Sequence, residues 1–457
     1  NGAVAGYSID NSLRFNDDDS PVLSRTPSSA SNRTTYTFSC WVKRSNISTG
    51  NQRLFSVEDD ASADFRLRFT GSDTLMLYDS TTSLYFITNA VYRDVSSWYH
   101  IVAQVDTTQS TSSDRANLYV NGVKITNFST ETYPSLSATG LVNTTHEHNV
   151  SGRIYQSSIE QTLDGYLTEV HFIDGQALSP TDFGEFDEDS GIWKPKQYTG
   201  SYGTNGFYLD FSNSGTLGED FSGNDNDFTA TNLASTDQTT DTPTNNFATW
   251  NKNMATNSTM TLAEGNLEGK TGSNYANGAS NSWFSTMGVS SGKWYAEFKL
   301  TAVSGSTAGM VGVGYNLSKH QQGGTSGAYG LSDISEGYGY VMEGNVKNNG
   351  SALSGTWNTY TTNDIIGVAL DLDNNRLYFS KNGTFENSAD PTDGTNAISI
   401  TGDKEYFFAI SDASLGNTYT YSANFGNPSF SISSGNSDDN GYGNFEYAPP
   451  SGYLALC

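Results

Sequence analysis

The sequence predicts an all-β chain built from two antiparallel, jelly-roll-like β-sandwich domains in tandem. Short strands with period-two alternation and polar turns recur along it, and helical periodicity is almost missing. Twice, an alternating strand, a polar loop and a second strand run into an Asn-Gly hairpin turn, at Asn121-Gly122 and at Asn382-Gly383. A chain of 457 residues also exceeds one ordinary domain, and two sandwiches of about 200 residues each account for it.

The first series of strands covers Tyr36 to Val42, Phe65 to Phe69, Thr74 to Tyr78, Trp98 to Val105, Asn117 to Ile125 and Tyr166 to Ile173. Ser, Thr, Asn, Gly and Asp separate these runs, as expected of a sandwich. Cys40 falls inside the first strand and reads as a small buried apolar residue, and with Cys457 it makes no disulfide framework. Composition then shifts to Gly, Asn, Asp and Thr, closing on the polar run from Leu233 to Asn246. The predicted organisation is a sandwich over 1–195, a connecting segment over 196–245 and a second sandwich over 246–457. In the second series, Lys293 to Leu300 places Trp294, Ala296, Phe298 and Leu300 on one face and Lys293, Tyr295, Glu297 and Lys299 on the other. That is the pattern of a half-buried strand. Ile366, Val368, Leu370 and Leu372 form the buried face of the next, and Tyr406 to Ile410 a later one.

These residues carry two resemblances. The first half resembles a laminin-G/concanavalin-A-like lectin domain through four segments in the family's order: Tyr36 to Lys43, Trp98 to Asp106, Leu118 to Gly122 and Leu163 to Val170. The second half resembles a SPRY domain through Gly292 to Phe298, Val311 to Gly314, Gly337 to Tyr340, Asp364 to Gly383 and Ala423 to Gly426. Both resemblances imply sandwiches that bind rather than catalyse, the first often carbohydrate and the second mainly protein surfaces. The join, from Gly206 to Asn246, resembles the linking segment of structural proteins of tailed bacteriophages of marine bacteria.

Composition narrows the partners. A net charge of -26 disfavours polyanions, so neither nucleic acid nor insertion at an anionic membrane surface is expected. No apolar run approaches the ~18 residues of a membrane span, and Asn1 to Gly6 has neither the basic start nor the apolar core of a signal peptide. A start without Met reads as a processed or partial product. The 27 Tyr and 46 Gly among many hydroxyl groups suit a sugar-binding or adhesive surface. Asn-x-Ser/Thr triplets such as Asn46 to Ser48 and Asn257 to Thr259 are expected by chance in so Asn-rich a chain.

Catalytic constellations are incomplete. Glu185, Asp187 and Ser190 lack the last carboxylate of the glucanase pattern, so they read as solvated charge. Gly288 to Gly292 matches the Gly-x-Ser-x-Gly elbow but leads into a strand rather than a helix, which makes it a turn. Gly265 to Thr271 is one residue short of a phosphate loop, and Asp371 to Asn382 lacks the glycine and the terminal Glu of an EF-hand. His146 and His148, with His171 as a conceivable third zinc ligand, read as solvent-exposed. The metal candidate is calcium on the oxygen-dense segment Asp220, Asn224, Asp225, Asn226 and Asp227, which also resembles a calcium-holding segment of laminin-G-like domains; an ordinary Asx turn is the alternative.

Two function classes follow. The first is a non-enzymatic virion protein, a tail fibre, head fibre or decoration, that contacts a host surface glycan, neighbouring virion subunits or copies of itself. The second is a secreted or cell-surface carbohydrate-binding or carbohydrate-active bacterial protein. Candidate ligand-binding aromatics are Trp283, Phe284, Tyr338, Tyr340 and Trp357, with core residues as the competing reading.

Overall fold

The computed structural model describes residues 6–59, 63–254, 260–272, 281–305, 308–322, 330–412 and 416–457. The chain divides into two compact units, Asn1–Asn246 and Phe247–Cys457. Both are antiparallel sandwiches, as expected; Leu317–Gln322 is the one α-helix among the described residues.

In the first unit one sheet has the order Val123–Lys124, Ala116–Val120, Trp98–Asp106, Thr35–Arg44, Gly165–Asp174, Ser12–Phe15 and Gln238–Thr239, with Phe207–Leu209 also paired to Gly165–Asp174. The other runs Phe128–Thr132, Leu84–Val91, Thr74–Asp79, Asp64–Phe69, Gln52–Glu58, His148–Val150, Val22–Arg25 and Thr229–Thr231. Alternation sends Phe65, Leu67 and Phe69 inward and Asp64, Arg66 and Arg68 outward. Across the core, Phe38 of one sheet stacks on Phe55 of the other with ring centroids 4.9 Å apart. Cys40 lies fully buried in this core.

Residues 196–245 are not a connector, which corrects the boundary at 195. They supply one strand to the first sheet's centre, one to its edge and one to the second sheet's edge. Phe207, Leu209, Phe211, Leu217 and Phe228 join the core. The same segment closes over the outer face of the first sheet, where Lys43 Nζ lies 2.7 Å from Asp241 Oδ2 and both side chains are buried. Trp98 Nε1 donates to the other Asp241 oxygen at 3.1 Å. A polar composition misled here because backbone pairing and a few well-placed aromatics suffice to fasten a chain that is otherwise Gly- and Asn-rich.

In the second unit one sheet runs Thr261–Ala263, Glu268–Lys270, Thr418–Asn424, Lys293–Ser304, Ile365–Asp371, Arg376–Lys381 and Thr384–Phe385, with Ile398–Ser399 beside Arg376–Lys381. The other runs Ser282–Phe284, Phe407–Asp412, Gly309–Gly314, Gly337–Val341, Asn345–Asn348 and Ser351–Ala352. Both Asn-Gly turns are type I′ in character, with φ of +50° and +76° at Asn121-Gly122 and +49° and +80° at Asn382-Gly383. Lys293–Ser304 departs from the half-buried expectation. Tyr295 and Glu297 are buried too, because Phe445, Tyr453 and Ala455 pack over that side of the sheet.

Candidate functional site

The expected aromatic surface of the second unit is mostly core. Trp283, Phe284, Tyr338 and Tyr340 are buried, so four of the five ligand-binding candidates are corrected to packing residues. Trp283, Tyr338 and Tyr340 pack into the core between the sheets, while Phe284, next to Trp283 on the edge strand, turns to the other face and packs with Met254, Met310 and Leu331. Trp357 alone of the five is half-exposed, resting on Tyr340 and Phe379.

The calcium candidate is a closed Asx loop. Asp220 Oδ1 accepts from the backbone of Tyr208 and Ser222 at 2.8 and 2.9 Å, and Oδ2 accepts from the Ser222 hydroxyl and the Asn226 backbone at 2.8 and 2.9 Å. Asn224 and Asn226 turn their amide nitrogens, not their oxygens, onto the carbonyls of Gly203, Thr204 and Gly206. The Arg25 guanidinium donates to the Asn226 oxygen. Asp225 and Asp227 line a shallow cleft of about 460 Å³ beside that cation. Lone pairs already committed to N–H donors, next to an arginine, do not form a cage for a divalent ion. Accordingly, melting temperature is expected to be the same in calcium and in excess chelator, while Asp220→Ala lowers stability by about 2–4 kcal/mol through orphaned N–H groups. A melting point that rises with calcium would contradict this arrangement.

The remaining motifs are structural. Glu185 is exposed at a short hairpin, and Asp187 accepts from Ser190 and Lys194, which hold its carboxyl down at about 2, opposite to what a general acid requires. Ser290 is exposed in the turn before Lys293–Ser304. Gly265 lies in the turn between Thr261–Ala263 and Glu268–Lys270, and Asp371 caps a hairpin turn by accepting from Asn374. His146 is exposed as expected, but His148 is buried, accepting from the Asn143 backbone at 3.1 Å, and burial pulls it down to about 4. His171 sits in the other sheet, stacked on Tyr208 with centroids 4.3 Å apart and flanked by Tyr202. No group of three metal-ligating side chains occurs among the described residues. Among them, too, no helix is long and apolar enough to cross a membrane. Asn257 to Thr259 lies outside the described residues.

The surface best equipped to recognise a ligand is the outer face of the second sheet of the first unit. It escapes a reading of the sequence because its arginines are dispersed over two strands and a distant hairpin. The signal was present in Asp64 to Phe69, where Arg66 and Arg68 fall on the face opposite Phe65, Leu67 and Phe69. Register aligns Tyr85, Tyr78, Arg66 and Ser56 in one row, and Met76, Arg68 and Arg53 in the next. Arg66 stands over the Tyr78 ring at 4.4 Å, and Tyr78 meets Tyr85 edge-on with centroids 5.2 Å apart. Arg66 and both tyrosines are half-buried and reach solvent.

A hairpin, Arg153–Tyr155 and Ser158–Glu160, flanks this face. Its Arg153 joins Glu58 and Glu160 at 3.1 and 2.6 Å and stands over Tyr155 at 4.8 Å. The following Gln161 offers Oε1 to Arg53 Nε at 3.0 Å and to Arg68 Nη1 at 2.9 Å. Arg53 also contacts Glu58 at 2.8 Å, and Arg66 contacts Asp64 at 2.9 Å. Arg68 has no carboxylate partner among the described residues, and the Nε atoms of Arg66 and Arg68 lack an acceptor there. Burial, reinforced by the Arg66 cation, pulls Arg68 down to about 10.

Comparison with known proteins places these two units. Residues 16–182 match the laminin-G-type profile of the Concanavalin A-like lectin/glucanases superfamily, and residues 293–424 match the SPRY domain. A search of the curated proteins finds no match. Among solved structures, the SPRY domain of human HERC1 is 18% identical over 34% of this chain and 87% of its own, with a TM-score of 0.26. A heptameric SAP-like pentraxin from Limulus polyphemus is 16% identical over 37% of this chain and 78% of its own, with a TM-score of 0.28.

Proposed function

We propose that this chain, a laminin-G/concanavalin-A-like module followed by a SPRY module, is a non-enzymatic adhesion protein of a virion surface that holds a glycan on its first module. The observation that carries the glycan reading is the solvent-reaching row of Tyr85, Tyr78 and Arg66 on a sheet whose other face is core. A pyranose ring presents apolar C–H faces and a rim of hydroxyls; tyrosine rings cover the former while arginine and glutamine groups bond the latter. The sheet backbone fixes these side chains in place, so little ordering entropy opposes binding. The virion reading is supported by the resemblance of Gly206 to Asn246, which here completes the first module, to a stretch of phage structural proteins, and by the pairing of two binding modules on one chain. Many copies on one particle would multiply weak single-site contacts. The second module then faces other subunits or other copies of this chain.

A glycan array probed with the intact chain tests the first part: binding is expected, and Tyr78→Ala with Tyr85→Ala should weaken it tenfold or more, about 1.4 kcal/mol. Mass spectrometry and labelled-antibody microscopy of purified particles test the second. An array without signal removes the glycan reading, and particles that lack the chain remove the virion reading.

A further inference from the structure

We infer that the arginine–tyrosine face of the first module recognises acidic sugars, the carboxylates of a polyuronate, rather than neutral ones. The inference rests on the glycan reading above and adds the ligand's charge. In a chain of net charge -26 with 23 Lys and Arg, four guanidinium groups from Arg53, Arg66, Arg68 and Arg153 converge on one face against three carboxylates, Glu58, Asp64 and Glu160. The surplus charge falls on Arg68, which is 8% exposed and has only the neutral Gln161 as hydrogen-bond partner among the described residues. A buried guanidinium without a counter-charge is costly, and a ligand carboxylate that completes its pairing recovers that cost.

Geometry selects the partner further. Arg66 and Arg68 lie two residues apart on one strand face, about 7 Å by strand rise; the Nε of each is buried without an acceptor, so it falls to the terminal nitrogens of each guanidinium fork to meet a ligand. A planar carboxylate can receive two parallel N–H bonds from such a fork, which a hydroxyl cannot do. Tyr78 and Tyr85 continue the same row and supply ring surface for the sugar that carries the acid. The chain's overall negative field does not prevent this, since at physiological ionic strength it is screened beyond about 8 Å while the arginines act in contact.

The test measures binding of the intact chain, by calorimetry, to four soluble polysaccharides: polygalacturonate, its methyl ester, dextran sulfate and dextran. Polygalacturonate is expected to bind at least tenfold more tightly than its methyl ester, which has the same backbone without the charge, and more tightly than dextran sulfate. Arg66→Gln, at a partly exposed position, should lower polygalacturonate affinity about tenfold while leaving the melting temperature within a few degrees; Arg68→Gln should do at least as much. Equal binding to polygalacturonate and its ester overturns the acidic-sugar inference but leaves a glycan-binding face. Preference for dextran sulfate overturns the carboxylate assignment. Binding to none of the four, with array binding to some other neutral sugar, overturns the inference alone; no binding to any glycan removes the underlying reading as well.

Discussion

A chain ending at residue 195 is expected not to fold, whereas one ending at residue 246 gives a cooperative first module. The shorter chain loses Phe207, Leu209, Phe211, Leu217 and Phe228, all buried, along with three paired strands. Full burial of each such side chain is worth about 1.5–3 kcal/mol, so the loss is about 8–15 kcal/mol, as large as the whole stability of a typical domain. It also strips Asp241 from Lys43, leaving an ammonium group in the position that the missing segment covers. Dispersed amide signals and a sigmoidal denaturation curve for 1–246, against a collapsed spectrum and no transition for 1–195, is the expected pair of results. A cooperative transition from the shorter chain would show that 196–245 merely decorates the sandwich.

In the second module, Glu297→Ala is expected to cost about 3 kcal/mol or more. The buried carboxylate accepts from the backbone of Glu446 at 2.9 Å and Tyr447 at 2.7 Å and from Asn424 Nδ2 at 3.1 Å, so its removal strands several donors at once. It would also release the stretch from Phe445 to Ala455 that covers Tyr295. Burial raises the Glu297 carboxyl from 4.5 to about 7 despite those donors. Below about pH 4.5 it is protonated in both folded and unfolded chains and exerts no pull on the equilibrium. Between 4.5 and 7 the unfolded chain releases the proton while the folded one keeps it, so stability falls as pH rises, by about 3 kcal/mol in all, and then levels. Denaturant unfolding at pH 5 and pH 7.5 should show this difference, and Glu297→Gln should flatten it. A Gln variant with the wild-type slope would assign the pH dependence to another group.

Much of this protein was determined by its sequence alone. Period-two alternation and two Asn-Gly turns specify antiparallel sandwiches, because strand side chains alternate between faces and only a turn with positive φ matches the strands' twist. The incomplete spacing of Glu185, Asp187 and Ser190 was likewise legible, since missing side chains are visible without coordinates. Tertiary structure decided what covers each face. Glu297 and Tyr295 alternate like solvent-facing residues, yet the distant Phe445 and Tyr453 bury them. Lys43, one strand position from the core, is sealed by Asp241 nearly two hundred residues away. Trp283 and Tyr340 look like binding aromatics until neighbouring strands turn them inward, and the oxygens around Asp220 look like calcium ligands until their hydrogen-bond donors are known. Arg53, Arg66, Arg68 and Arg153 form a site only because antiparallel register and one hairpin bring them to a common face. Local pattern encodes which way a side chain points relative to its neighbours; which long-range partner waits there is set by pairing between segments far apart in the chain.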